Sequence, residues 1–133
     1  MLERIKMDIE INSPVNITLD VIELDEHIPS MKCNVMIKVE KFGYRSDVNL
    51  QPWIECQCFD NFINNMRGDN IAVLKDMNNF FELIINPVQG WLEWSCAKED
   101  LDGYITLAKG REKLTDESKR ALYEAFNDYP KWW

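Results

Sequence analysis

Apolar and polar residues alternate along most of the first forty positions. Every second residue is apolar from Ile5 to Ile11, and the same period returns from Val15 to Val21 and from Cys33 to Val39. A period of two sends successive side chains to opposite faces of a strand. Turn residues at 12–14 and a polar loop at 25–30 separate the runs. We therefore predict three consecutive antiparallel strands, each with one buried face.

The period changes in the middle of the chain. A strand is predicted from Trp53 to Cys58, and apolar residues then follow helical spacing over 59–66, with Asp60 as the N-cap and Gly68 as the stop. Turn residues at 78–79, 86–90 and 102–103 separate the segments that follow. These segments are predicted strands at 71–77, 80–85, 91–97 and 104–108.

The chain ends in a second predicted helix. Thr115 is its candidate N-cap, Leu122 and Phe126 lie on its apolar stripe, and Pro130 ends it after about Asp128. The terminal Trp132 and Trp133 are expected to pack back against the sheet or to contribute to a partner interface. The whole pattern predicts one mainly β (α+β) domain over 1–133. Its architecture would be an antiparallel sandwich or strongly bent sheet of seven to eight strands, with one short inserted helix and a C-terminal helix.

Charge then narrows the classes of partner. The 133 residues include 23 acidic and 15 basic side chains, a net charge of −8, and residues 51–100 hold eight acids against three bases. Phosphate-rich partners require basic surface, so we expect neither nucleic acid nor a membrane as the direct partner. Without a signal-peptide pattern or a long apolar run, a cytoplasmic location is expected.

Reactive groups are sparse in the sequence. His27 is the single histidine and lies in an acidic loop, and neither a nucleophile-elbow motif nor a phosphate-binding glycine motif occurs. The cysteines at 33, 56, 58 and 96 are interpreted as free thiols that act as small core residues. We therefore expect no metal, no cofactor and no enzymatic activity.

One group of residues remains after the core is assigned. Strand alternation in the middle third directs three glutamates and three aromatic residues away from the core. They are Trp53, Glu55, Phe80, Glu82, Trp91 and Glu93. Such a surface is too apolar for an ordinary solvent-facing sheet. Three interpretations of this surface are open. A helix could cover it while the glutamates pair with lysines, it could be a docking face for a cationic protein, or Glu55 and Glu93 could be a glycosidase pair.

A resemblance favours the docking face. Four segments resemble small bacterial immunity proteins of contact-dependent and wall-associated toxin systems. They are the strand and helix that start at Trp53, the Phe80-Phe-Glu-Leu-Ile-Ile segment, the Gly90-Trp-Leu-Glu-Trp strand and the closing helix. The likeness spans about residues 30–130. It implies a non-enzymatic protein that binds and neutralises a cognate toxin domain, often a basic nuclease. The alternative is a small-ligand-binding β-domain with a cavity lined by Trp91, Trp94 and Phe80.

Overall fold

The computed structural model describes residues 8–130, which form nine strands and two helices in two antiparallel sheets. The strands are β1 (Asp8–Ile11), β2 (Asn16–Asp25), β3 (Ser30–Lys41), β4 (Tyr44–Leu50), β5 (Trp53–Glu55), β6 (Ala72–Lys75), β7 (Phe81–Asn86), β8 (Trp91–Glu99) and β9 (Ile105–Lys113). The helices are α1 (Cys56–Arg67) and α2 (Asp116–Asn127). The first sheet has the order β1-β2-β3-β4, with β5 also paired to β3, and the second has the order β6-β7-β8-β9. The predicted α+β sandwich class is confirmed.

Both sheets bury one face in a single hydrophobic core. In β3, the alternate residues from Met31 to Val39 are buried, and in β7 the residues Phe81, Leu83 and Ile85 are almost fully buried. The intervening residues of each strand face outward, as a period of two requires. The sequence therefore correctly predicted which face of β3, β7 and β8 is buried.

The two helices complete the core through an aromatic cluster. The ring centroid of Phe126 in α2 lies 4.9 Å from that of Phe62 and 5.6 Å from that of Phe59, both in α1. Thr115 and Ser118 form a capping box at the start of α2, which confirms the predicted N-cap. The hydroxyl of Tyr129, just after α2, accepts a hydrogen bond from the Val21 amide at 3.2 Å. These contacts dock the C-terminal helix against the first sheet.

The predicted strand from Trp53 to Cys58 is wrong in its second half. β5 ends at Glu55, which is the N-cap of α1, so Asp60 lies inside the helix. Cys56 is buried at the start of the apolar stripe that continues with Phe59, so this side of the segment follows the helical period from residue 56. Two cysteines two positions apart fit a strand equally well, and the sequence alone did not separate the two patterns.

The sequence also missed one strand and shortened another. β4 was not predicted, because only three of its seven residues are partly buried and the first of these is the polar Ser46. The last strand continues to Lys113 through a run of charged residues, where a stop at Ala108 was predicted. Nine strands therefore replace the predicted seven to eight. The predictions for Ile5, Met7 and the two terminal tryptophans concern residues outside the described range.

Candidate functional site

The six predicted site residues are divided between the two sheets. Trp53 and Glu55 lie on β5, which pairs with β3 in the first sheet. The other four belong to the second sheet, where Phe80 immediately precedes β7. These four are Phe80, Glu82, Trp91 and Glu93. The single surface that strand alternation indicated is therefore two surfaces, since alternation assigns a side chain to a face but does not say which sheet the strand joins.

Two of the three outward-facing glutamates of the second sheet have a base beside them. Arg111 of β9 bonds the Glu93 carboxylate at 3.0 Å, and its guanidinium carbon lies 4.2 Å from the centre of the Trp91 ring. Lys75 of β6 is the cross-strand partner of Glu82. The outward-facing charges of β6 to β9 are Lys75, Glu82, Glu93, Glu99, Lys109, Arg111 and Lys113. Four bases against three acids give this second face a net charge of +1.

The outer face of the first sheet has the opposite character. Its ladders place eight acidic and three basic side chains on the side away from the core, a net charge of −5. The acids are Asp8, Glu10, Asp20, Glu23, Asp25, Glu40, Asp47 and Glu55, and the bases are Lys32, Lys38 and Arg45. Eight of the eleven acidic side chains that face outward from the two sheets of residues 8–130 therefore lie on this first face.

An open groove lies at one end of the first face. We call it the acidic groove; its lining residues are Asp25, Ile28, Ser30, Trp53, Met77 and Asn78. The indole of Trp53 is half-buried, while Ile28 is 54% exposed and Met77 is 41% exposed. Glu55 lines a second depression together with Lys75 and Asp76, and this depression shares Met77 with the acidic groove. Apolar side chains thus lie beside carboxylates here, the composition that suits a partner with both cationic and apolar groups.

Two contacts fix the shape of the groove. The Met77 amide donates to the Trp53 carbonyl at 2.9 Å, which joins the end of β6 to β5. Asp76 is 5% exposed, and its Oδ1 accepts hydrogen bonds from the Phe80 and Phe81 amides at 2.8 and 3.0 Å. The buried carboxylate therefore holds the turn that presents Met77. Asp76 and Met77 were not predicted as functional, although the Asp-x-Asn-Asn segment did indicate a turn.

The four cysteines are free thiols, and three are buried. Burial, with Asp20 nearby, raises the pKa of Cys33 to about 12, and burial, with Asp76 nearby, raises the pKa of Cys96 to about 12. Burial also raises the pKa of the Cys56 thiol. A neutral thiol is a poor nucleophile, so these groups act in packing. Over residues 8–130 no three histidine, cysteine or acidic side chains are grouped so that they could hold a metal ion.

The aromatic residues of the alternative ligand site do not share a cavity. Trp94 is 2% exposed and faces the core, whereas Trp91, three positions earlier on the same strand, lies on the outer face because side chains alternate along a strand. None of the depressions along residues 8–130 that we describe is lined by Phe80, Trp91 or Trp94. The predicted aromatic lining is therefore wrong.

Comparison with protein-family models, with curated proteins and with solved structures found no match to this chain. No helix within residues 8–130 has the length and apolar character needed to cross a bilayer. The functional argument accordingly depends on the two faces and on the acidic groove.

Proposed function

We propose that this chain is a non-enzymatic binding protein that recognises a cationic protein domain through the acidic groove and the adjoining first face. In the cell it would act in the cytoplasm as an immunity protein that neutralises a toxin domain of the nuclease type. The segregation of charge supports this proposal most directly, because the first face carries −5 while the second face is close to neutral.

The physical basis is steering followed by anchoring. A face with one dominant sign of charge attracts an oppositely charged protein and can raise association rates toward about 10⁸ to 10⁹ M⁻¹s⁻¹ at low salt. Half-buried Trp53, with Ile28 and Met77 beside it, supplies apolar contact area once the partner has arrived. Of the six predicted binding residues, Trp53 and Glu55 remain assigned to contact with the cationic partner.

Glu82 and Glu93 have a smaller part in the proposal than the sequence indicated. Glu93 is held by Arg111, and Glu82 has Lys75 as its cross-strand neighbour, so each lies beside a base on a face that is close to neutral. Phe80 and Trp91 lie on the second face and are assigned no contact with the cationic partner.

The test uses a charge-reversal pair. Glu26 follows groove residue Asp25 in the sequence and Glu55 lines the adjoining depression, and both are exposed. Glu55 is also the N-cap of α1 without a side-chain capping bond. The matched control reverses Glu117 and Glu124, exposed acids of α2, of which Glu117 is likewise at a helix start. Both double variants change the net charge by +4 and remove one carboxylate from a helix N-terminus.

We expect Glu26→Lys/Glu55→Lys to slow association with the basic product of the adjacent open reading frame at least tenfold at low salt, and to lose protection of growth against that product. Glu117→Lys/Glu124→Lys should retain both. Stopped-flow association rates at several salt concentrations and a co-expression growth assay measure these effects. Equal behaviour of the two variants would refute the acidic groove as the recognition site.

A further inference from the structure

Among the strands of residues 8–130, β9 pairs only with β8 and so forms an open edge of the second sheet. The Asp100 amide donates to the Tyr104 carbonyl and the Leu114 amide donates to the Gly90 carbonyl, both at 2.9 Å, at the two ends of the β8–β9 ladder. Hydrogen-bonded and non-hydrogen-bonded pairs alternate in an antiparallel ladder, so the even-numbered residues of β9 bond β8. The odd-numbered residues therefore direct their backbone N–H and C=O groups toward the open edge.

The side chains on the same odd-numbered residues divide into two halves. Ile105 and Leu107 are apolar and are 62% and 63% exposed. Lys109, Arg111 and Lys113 follow, all exposed and all on the second face. An open edge of this length with exposed apolar side chains is a template for pairing with another strand.

A groove gives such a strand a place to lie. It has a volume of about 320 Å³ and separates β4, the edge strand of the first sheet, from the ends of β8 and β9. Val48 and Leu50 line one wall, and the even-numbered Thr106 and Ala108 line the other. An added strand would therefore direct alternate side chains into this groove and the others onto the second face.

We propose that the β9 edge binds an extended acidic segment of another protein, which joins the second sheet as a fifth strand. Charge complementarity identifies the occupant, because carboxylates at alternate positions would lie opposite Lys109, Arg111 and Lys113. Antiparallel pairing of two β9 strands centred on Lys109 or Arg111 would set like charges opposite each other, so a second copy is disfavoured in those two registers. This site is separate from the acidic groove and does not depend on the proposed function.

The probe is a nine-residue peptide with blocked termini and the sequence Glu-Thr-Glu-Thr-Glu-Val-Ile-Thr-Val. Bound antiparallel, it sets its three glutamates opposite the three bases and its apolar residues opposite Leu107 and Ile105. We expect peptide binding to slow hydrogen exchange of the Leu107, Lys109 and Arg111 amides, as measured by NMR. The amides of the even-numbered residues already bond β8 and should change little.

N-methylated peptides give the matched control. In this register the odd-numbered peptide residues, which include all three glutamates, direct their N–H groups at β9, so N-methylation of the glutamates should abolish binding. N-methylation of the three threonines should leave it intact. Equal binding of the two N-methylated peptides, or binding without protection of the odd-numbered β9 amides, would overturn the proposal.

Charge reversal on the protein tests the side-chain contribution. Lys109→Glu should weaken peptide binding about tenfold, and a peptide with lysine at position five should recover it. Lys38→Glu, the same charge change at an exposed site on the first face, should have no effect. Protection of the β9 amides that rises with protein concentration without peptide would assign the edge to a second copy and contradict the proposal.

Discussion

The outer faces of the two sheets differ in charge although both sheets are antiparallel and share one core. The first face carries eight acids and three bases, whereas the second carries three acids and four bases. The second face receives Lys109, Arg111 and Lys113 from β9, which comes from the last third of the chain. The charge of a surface thus depends on which strands become neighbours, and the net charge of a sequence segment does not reveal it.

The largest effect is expected at Asp76, where the two sheets meet. Asp76→Ala leaves the Phe80 and Phe81 amides without their acceptor in a buried turn, which should lower the free energy of unfolding by about 3 kcal/mol. Urea denaturation measures this loss. Asp76→Asn keeps an oxygen acceptor and should cost clearly less; an equal loss in both variants would show that the two hydrogen bonds do not hold the turn.

A second substitution should weaken the second sheet alone. A Cβ atom on Gly110 would lie 2.6 Å from Nε1 of buried Trp94, so Gly110→Ala overpacks this side of the core and should cost about 2 kcal/mol. Hydrogen exchange should become faster in β8 and β9 before it does in β2 and β3. Trp94→Phe should recover part of the loss in the Gly110→Ala background, and a failure to do so would contradict the steric explanation.

The stability of each sheet at high pH depends on one buried thiol, so the two sheets can be compared through Cys33 and Cys96. The pKa of Cys33 and that of Cys96 are raised from 9.0 to about 12, so the folded state holds these protons more tightly than the unfolded state does. Their contribution to stability is complete below pH 9 and is lost as the pH rises through about 12. We expect Cys33→Ala and Cys96→Ala each to lose less stability than the wild type over this window. Identical pH profiles in urea denaturation would contradict the assignment.

The smallest effect is expected at Arg111. Arg111→Ala removes the bond to Glu93 and the contact with the Trp91 ring, and it changes the second face from +1 to zero. Because the Arg111 side chain is 60% exposed, the loss of stability should remain below about 1 kcal/mol. Tryptophan emission should shift to longer wavelength as Trp91 becomes more exposed to water. An unchanged spectrum would indicate that the guanidinium does not shield the indole.

The sequence predicted local structure better than the site. Local patterns correctly predicted which face of β3, β7 and β8 is buried. They also correctly predicted that Thr115 caps α2. The grouping of Trp53 and Glu55 with the glutamates of the second sheet was wrong, because the pairing of β5 with β3 is a long-range contact. The apolar pattern gave no signal for β4, because Tyr44 is 57% exposed and Ser46 is polar.

The neutralisation of Glu93 was also beyond local reasoning. Arg111 lies 18 positions away along the chain, and it reaches Glu93 only because β9 continues past Ala108 with a register that pairs the two residues. The acidic groove likewise combines Asp25, Trp53 and Met77 from three separate turns or strands. Such sites are assembled by strand pairing, so a pattern within one segment cannot predict them.

The most direct test of the charge comparison is an NMR titration of the protein with a hexalysine peptide at low salt. The account predicts chemical-shift changes concentrated at the acidic groove and along the first face, with the largest at Trp53 and Glu55, and their loss as salt is raised. Changes centred on the second face, or spread evenly over both sheets, would contradict it.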